Sequence, residues 1–209
     1  PGHVGGWFGC GIRGAGGAFN RKNNHGMADY QSIRRMGSKR AIHKKIIALF
    51  PPHNAYIDLF FGAGGIALNK PLANYNFWND KDGEIFNLFD VLRRDKLGLL
   101  EWAELMPYHN DLFQFWRKNK ETDPVLNALR FLALSNFGYM GETGTLTLAA
   151  KNIKNILVEN IKKFNLKFDK VQFLNCDFEE VFTKISFQKG TKKSECFVYA
   201  DPPYLGTAN

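Results

Sequence analysis

The chain has 209 residues, 44% hydrophobic and 14% aromatic, which suits one large domain or a core with an insertion and excludes a disordered chain. No apolar run approaches the ~18 residues of a membrane span, and no basic-then-apolar start resembles a secretory signal. The net charge of +8 resides in residues 1–50, where nine Lys or Arg face the lone acid Asp29; this points to an anionic partner such as nucleic acid, with solubility alone as the alternative.

Three distant cysteines (Cys10, Cys176, Cys196) and five histidines show no zinc spacing, so a reducing cytoplasm and no metal are expected. Residues 1–26 hold nine glycines and no acid, without helical or strand periodicity. They read as a flexible leader outside the fold, with Met27 as the candidate start and a glycine-rich nucleic-acid arm as the alternative. From Met27 the pattern becomes ordered. "KRAIHKKIIALF" sets Ile42, Ile46, Ile47 and Phe50 on one helical face, ended by Pro51-Pro52. "AYIDLFFGAGG" is an apolar strand closing in a glycine turn, and "NYNFWND" is a second strand with Asn79-Asp80 at its carboxyl end.

A helix from Glu84 follows, with Ile85, Leu88, Phe89 and Leu92 on one face. Residues 95–165 read as mainly helical. Asp123-Pro124 is a helix start and Gly138 a stop; "GETGTLTLA" is an exposed turn or short hairpin, and Ile153, Ile156, Leu157 and Ile161 share a face of a further helix. Strands return in "KVQFLNCDF" and "CFVYADPPY". This alternation argues an α/β fold with a parallel, doubly wound sheet, in which 27–94 and 166–209 form the core and 95–165 a helical insertion. Ligands of such sheets sit beyond the carboxyl ends of the strands, where Gly62–Gly65, Asp80, Asp177 and Asp201 all fall.

Gly62, Gly64 and Gly65 let backbone approach a ligand closely, and Asp58 precedes them within the strand. The turn is neither a GxGxxG fingerprint nor a phosphate loop, which favours a cofactor without a pyrophosphate; a tight strand-to-helix turn needs glycine in any case. Asp80 suits ribose hydroxyls, or the cap of the helix beginning near residue 84. In Asp201-Pro202-Pro203-Tyr204 the prolines lack N–H groups, so a carboxylate stands beside outward carbonyls. That all-acceptor cluster suits an –NH2 group, with the tyrosine ring as a stacking face for a planar base; a strand followed by a Pro-Pro turn is the purely structural alternative.

These segments together resemble the Dam-like, D12 class DNA adenine-N6 methyltransferases. "RRMGSKRAI" is similar to that family's amino-terminal segment, "YIDLFFGAGG" to its strand-plus-glycine signature, "ND" to its ribose-binding acidic position, "NCDF" to its adenine-contacting segment, and "ALSNFGYMG" to part of its target-recognition insertion. The resemblance runs from about residue 30 to the end. It implies a Rossmann-like fold binding S-adenosylmethionine, with the methionine part near Lys39, Gly62 and Gly64, the ribose on Asp80 and the adenine near Asp177 and Phe178. Arg35, where the family often carries an aromatic, and Asp58 and Asp201 border the same cofactor.

The same resemblance implies that the target adenine of duplex DNA is flipped into a pocket of Asp201, Pro202, Pro203 and Tyr204. Asp201 and the Pro202 carbonyl would accept from N6, and Tyr204 would stack on the base. Residues 95–165 would read DNA, although the family's base-reading arginine is not evident in "GETGTLTLA". A cognate restriction endonuclease is the expected further partner, in a bacterial or phage-encoded cytoplasmic setting. Because the family continues with further helices and three strands beyond its DPPY motif, the chain is expected to be a fragment, poorly stable and inactive alone. Methylation of cytosine N4 or of an exocyclic amine in RNA is one alternative, and a non-catalytic nucleic-acid-binding remnant another.

Overall fold

A computed structural model describes residues 39–137, 153–164, 168–186 and 195–203. Its centre is a four-stranded sheet built from β1 (Ala55–Asp58), β2 (Tyr75–Asn79), β3 (Val171–Leu174) and β4 (Cys196–Tyr199). The strand order is β3-β2-β1-β4 and every pairing is parallel, with Asp58 of β1 level with Trp78 of β2 and Tyr199 of β4. The chain steps outward from β1 through β2 to β3 and then returns to the other side of β1. The direction of winding therefore reverses between β1 and β4, which makes their carboxyl ends the topological switch point. All four residues of β1 are buried, as expected of a central parallel strand covered on both faces.

Among the described residues, seven helices accompany the sheet: α1 (His43–Ile47), α2 (Gly83–Arg94), α3 (Lys96–Leu105), α4 (Asn110–Lys118), α5 (Pro124–Phe137), α6 (Ile153–Lys163) and α7 (Phe178–Lys184). Their starts follow capping chemistry. Asp82 accepts from the Glu84 N–H to open α2, Asp95 from Gly98 to open α3, and Asp123 from Leu126 to open α5. In α2 the expected residues Ile85, Leu88, Phe89 and Leu92 are all buried.

The two faces of the sheet are covered unequally. Tyr56 and Trp78 belong to a large core shared with α2, α3, α4, α5 and α6, in which Phe61 stacks on Trp78 at 5.0 Å and meets Phe89 edge-on at 4.8 Å. On the opposite face, Val181 of α7 and nearby Ile185 cover Ile57, Leu59 and Phe77. The helical segment after α2 thus packs into one apolar core with the sheet. Two expected faces turn out differently. In α1 the buried residue is His43; Ile46, Ile47 and Phe50 are half-buried as expected, while Ile42 is 45% exposed because it is the N-cap, with a non-helical φ of −121°. In α6, Leu157 and Ile161 are buried but Ile156 is half-exposed, since Val158 takes the inward position. The "GETGTLTLA" segment lies outside the described residues.

A shared core implies shared cooperativity. Leu132→Ala in α5 removes a fully buried side chain and should cost about 2–5 kcal/mol. In urea, far-UV circular dichroism and tryptophan fluorescence should then shift together as one transition; two separated transitions would show that the helical layer folds by itself.

Candidate active site

The carboxyl ends of the strands are held in register by one buried carboxamide. Asn79 closes β2, and its Nδ2 donates to the Leu59 carbonyl leaving β1 and to the Cys176 carbonyl after β3, each at 3.1 Å. Its Oδ1 accepts the Cys176 backbone N–H at 3.2 Å and the thiol at 3.3 Å. A second asparagine ties the same loops, since Asn175 Nδ2 donates to the carbonyls of Asp80 and Lys81. Neither asparagine side chain stands out in the sequence, although Asn79 directly precedes Asp80 and Asn175 lies two residues before Asp177 at a strand end.

Asp80 fastens the glycine turn. Its Oδ2 accepts the Gly62 N–H at 2.6 Å and its Oδ1 the Asp82 N–H at 2.9 Å. The cap of α2 is therefore Asp82, and the alternative role of Asp80 as that cap is set aside. Gly62 and Gly64 have φ of 54° and 72°, in the left-handed region that disfavours side chains. A Cβ on Gly64 would also lie 2.6 Å from Leu68 Cδ1 and from Phe61 Cζ, so space and backbone both require glycine there.

Three carboxylates converge at this end of the sheet, with Asp58 feeling the charges of both Asp80 and Asp201. Asp58 is 2% exposed; its Oδ2 accepts the Tyr56 hydroxyl at 3.1 Å, whereas Oδ1 has no hydrogen-bond partner among the described residues. Burial pushes this carboxyl up to about 7, against the opposing pull of the Tyr56 hydroxyl and the Phe60 N–H. Asp201, just past β4, pairs with Lys39 Nζ at 2.8 Å. Lys39 thus stands against the carboxylate of the Asp-Pro-Pro segment.

Farther along the edge, Asp177 caps α7 and pairs with Lys81 at 2.7 Å; that ammonium holds its carboxyl below the usual range. Phe178 follows with its ring 42% exposed and 5.5 Å from Phe60. The structure therefore gathers Lys39, Asp58, Gly62, Gly64, Asp80, Asp177, Phe178, Asp201, Pro202 and Pro203 around the strand ends, whereas Arg35 and Tyr204 lie outside the described residues. Among the described residues no cluster of three or more His, Cys, Asp or Glu is arranged to hold a metal, and no helix is long and apolar enough to cross a membrane.

The model of the D12 class N6 adenine-specific DNA methyltransferase family matches residues 36–209. The chain is 29% identical over 188 residues to Modification methylase StsI of Streptococcus sanguinis, covering 82% of this chain and 28% of that protein. It is 22% identical over 181 residues to the DNA adenine methylase of Vibrio cholerae serotype O1, covering 80% of this chain and 62% of that protein. The chain thus spans less than two thirds of the length of these curated relatives.

Asn79→Ala leaves the Leu59 and Cys176 carbonyls and the Cys176 N–H without their partner in a buried setting. A loss of about 2–4 kcal/mol in chemical unfolding is expected. A loss below about 0.5 kcal/mol would mean that other groups hold the strand exits together.

Proposed function

The chain belongs to the D12 class of N6 adenine-specific DNA methyltransferases, and from that premise we propose that it transfers a methyl group from S-adenosylmethionine to N6 of adenine in duplex DNA. The observation that carries the proposal is the gathering of Asp58, Asp80 and Asp201 at the switch point, on the strand ends where such sheets take ligands. The residues fit the donor. The orphaned, buried Oδ1 of Asp58 calls for a cationic or hydrogen-bond-donating group, and the missing side chain of Gly62 leaves space beside the backbone there.

When bound, S-adenosylmethionine supplies an electrophilic sulfonium methyl. In this reading, the Asp80 carboxylate, which accepts the Gly62 and Asp82 N–H groups, also accepts ribose hydroxyls. The exposed ring of Phe178 offers a stacking face to the adenine, with Asp177 beside it. Lys39 and the glycine turn flank the methionine part, and Arg35 borders the same site. Asp201 and the Pro202 carbonyl accept from N6 of the flipped target base, Pro203 stiffens the loop, and Tyr204 stacks on the base. No covalent intermediate is needed; the residues contribute position and electrostatics. The helical segment 95–165 takes the DNA-reading role, and a cognate restriction endonuclease is the partner this proposal adds.

The test incubates the protein expressed from the whole reading frame that holds these residues with S-adenosylmethionine and unmethylated duplex DNA, with RNA in a parallel tube, and quantifies nucleosides by mass spectrometry. N6-methyladenine in DNA is expected, reduced by about 10²-fold or more in Asp201→Ala. No methylated base from a protein shown to be folded would overturn the proposal, and a methyl group in RNA alone would reassign the acceptor.

A further inference from the structure

Resting on the S-adenosylmethionine reading above, we propose that Tyr56 and Lys70 are positioning residues: a buried Lys70–Tyr56–Asp58 relay holds Asp58 as the carboxylate that receives the cationic end of the cofactor, and protonation of Asp58 sets the pH range of cofactor binding. The relay is continuous in space. Lys70 is 6% exposed and lies just beyond the 3-10 turn of Ala67–Asn69 that follows the glycine loop. Its Nζ donates to the Pro71 carbonyl at 2.7 Å and stands 4.2 Å from the centroid of the Tyr56 ring. Tyr56, fully buried, passes its hydroxyl to Asp58 Oδ2 at 3.1 Å.

Each link has a physical reason. A buried ammonium with one carbonyl partner is costly unless a negative charge answers it, and Asp58 is the carboxylate that does so through space. Seated against the ring, the cation polarises the phenol and makes its hydroxyl a stronger donor to Asp58. One oxygen of Asp58 is thereby engaged, and the other, Oδ1, is left buried without a partner. The Phe60 N–H supports the carboxylate as well, so the acceptor that stays open is Oδ1 alone. Lys70 satisfied by Pro71 alone explains neither the orphaned oxygen nor the direction of the Tyr56 hydroxyl.

The charges around Asp58 set the sign of the pH effect. On its own strand stands Tyr56, from beyond β2 acts Asp80, and from β4 act Asp201 and, against Tyr56, Tyr199. Lys39 answers Asp201, and burial brings Lys70 down to about 8. Burial dominates at Asp58 and places its titration at about 7. A cationic ligand needs the carboxylate, so affinity strengthens as pH rises through that value. Removing the hydroxyl in Tyr56→Phe, or the ammonium in Lys70→Met, withdraws support from the anion and moves the rise to higher pH.

Two readouts on the intact chain test this: the 13Cγ shift of Asp58 followed by NMR as a function of pH, and the Kd of S-adenosylmethionine by calorimetry over the same range. In the unsubstituted chain the carboxyl should titrate near neutrality, and affinity should rise about threefold across the pH unit centred on that midpoint and about tenfold per unit well below it. Both midpoints should move upward by about half a unit or more in Tyr56→Phe and in Lys70→Met. A role in packing alone would lower the melting temperature and leave the midpoints in place. Titration of Asp58 in the ordinary carboxylate range, unmoved midpoints, or tight binding independent of pH would each overturn the inference. An absence of cofactor binding at every pH, with the Asp58 midpoints moving as stated, would instead overturn the methyl-donor reading.

Discussion

Parallel strands that deliver their carboxyl ends to one surface leave backbone groups there with no ladder partner, and in a packed layer those groups must find one. Asn79 supplies it. Its amide donates to the exits of β1 and β3 while its carbonyl accepts from β3, so one side chain fixes three consecutive strands at the level where the loops begin. Phe61 adds to this by donating its N–H to the Asn79 carbonyl, and Leu59 donates to Tyr199 of β4. The glycine turn, the Asp80 loop and the Asp177 loop are positioned relative to one another because their roots are bolted together. A carboxamide suits the task where a carboxylate does not, since it carries donor and acceptor without charge.

Upon that frame sits an arrangement of charge that costs stability. Asp58 binds its proton more tightly in the fold than in an unfolded chain, so as pH rises from the ordinary carboxylate range towards 7 its contribution to stability falls. The offsetting energy comes from the large core beneath, where Tyr56, Trp78, Phe89, Leu88 and Leu132 are almost wholly removed from water, each by about 1.5–3 kcal/mol. Polar strain at the strand ends and dense apolar packing below them thus belong together. Tyr56 is in both layers, with its ring in the core and its hydroxyl on Asp58.

The sheet was legible because its signals are local. Apolar runs of strand length, each closing on a polar residue, and a helix with buried residues at Ile85, Leu88, Phe89 and Leu92 can be read from spacing alone. The candidate carboxylates were legible for the same reason, each standing at the end of such a run. What spacing does not carry is which side chains meet. That Asn79 spans three loops, that Lys39 turns to Asp201, and that Lys70 lies under Tyr56 are contacts between residues 14 to 162 positions apart in the chain. A lysine within an otherwise apolar stretch was the available hint for Lys70. The failure at α1 has a similar origin. The 3.6-residue period that joins Ile46, Ile47 and Phe50 does not carry back to Ile42, which sits at the N-cap outside helical geometry.

The electrostatics of the site also bear on which ligand it suits. A pyrophosphate in a doubly wound sheet is held by an α-helix N-terminus directly after the glycine turn, where backbone N–H groups and the helix dipole face the anion. Here the glycine turn leads into a three-residue 3-10 helix, too short to sum a dipole, and the Gly62 N–H is already given to Asp80. Asp58, Asp80 and Asp201 then border the same opening, with Asp58 feeling the other two. An added phosphate would meet that negative charge with little to answer it, whereas a sulfonium or ammonium group would relieve the repulsion. The same acceptors that suit a cationic donor on one side suit an amine on the other, at Asp201 and the Pro202 carbonyl. Under the proposed function, an acceptor-rich switch point would answer two reactants that both present hydrogens or positive charge to the protein.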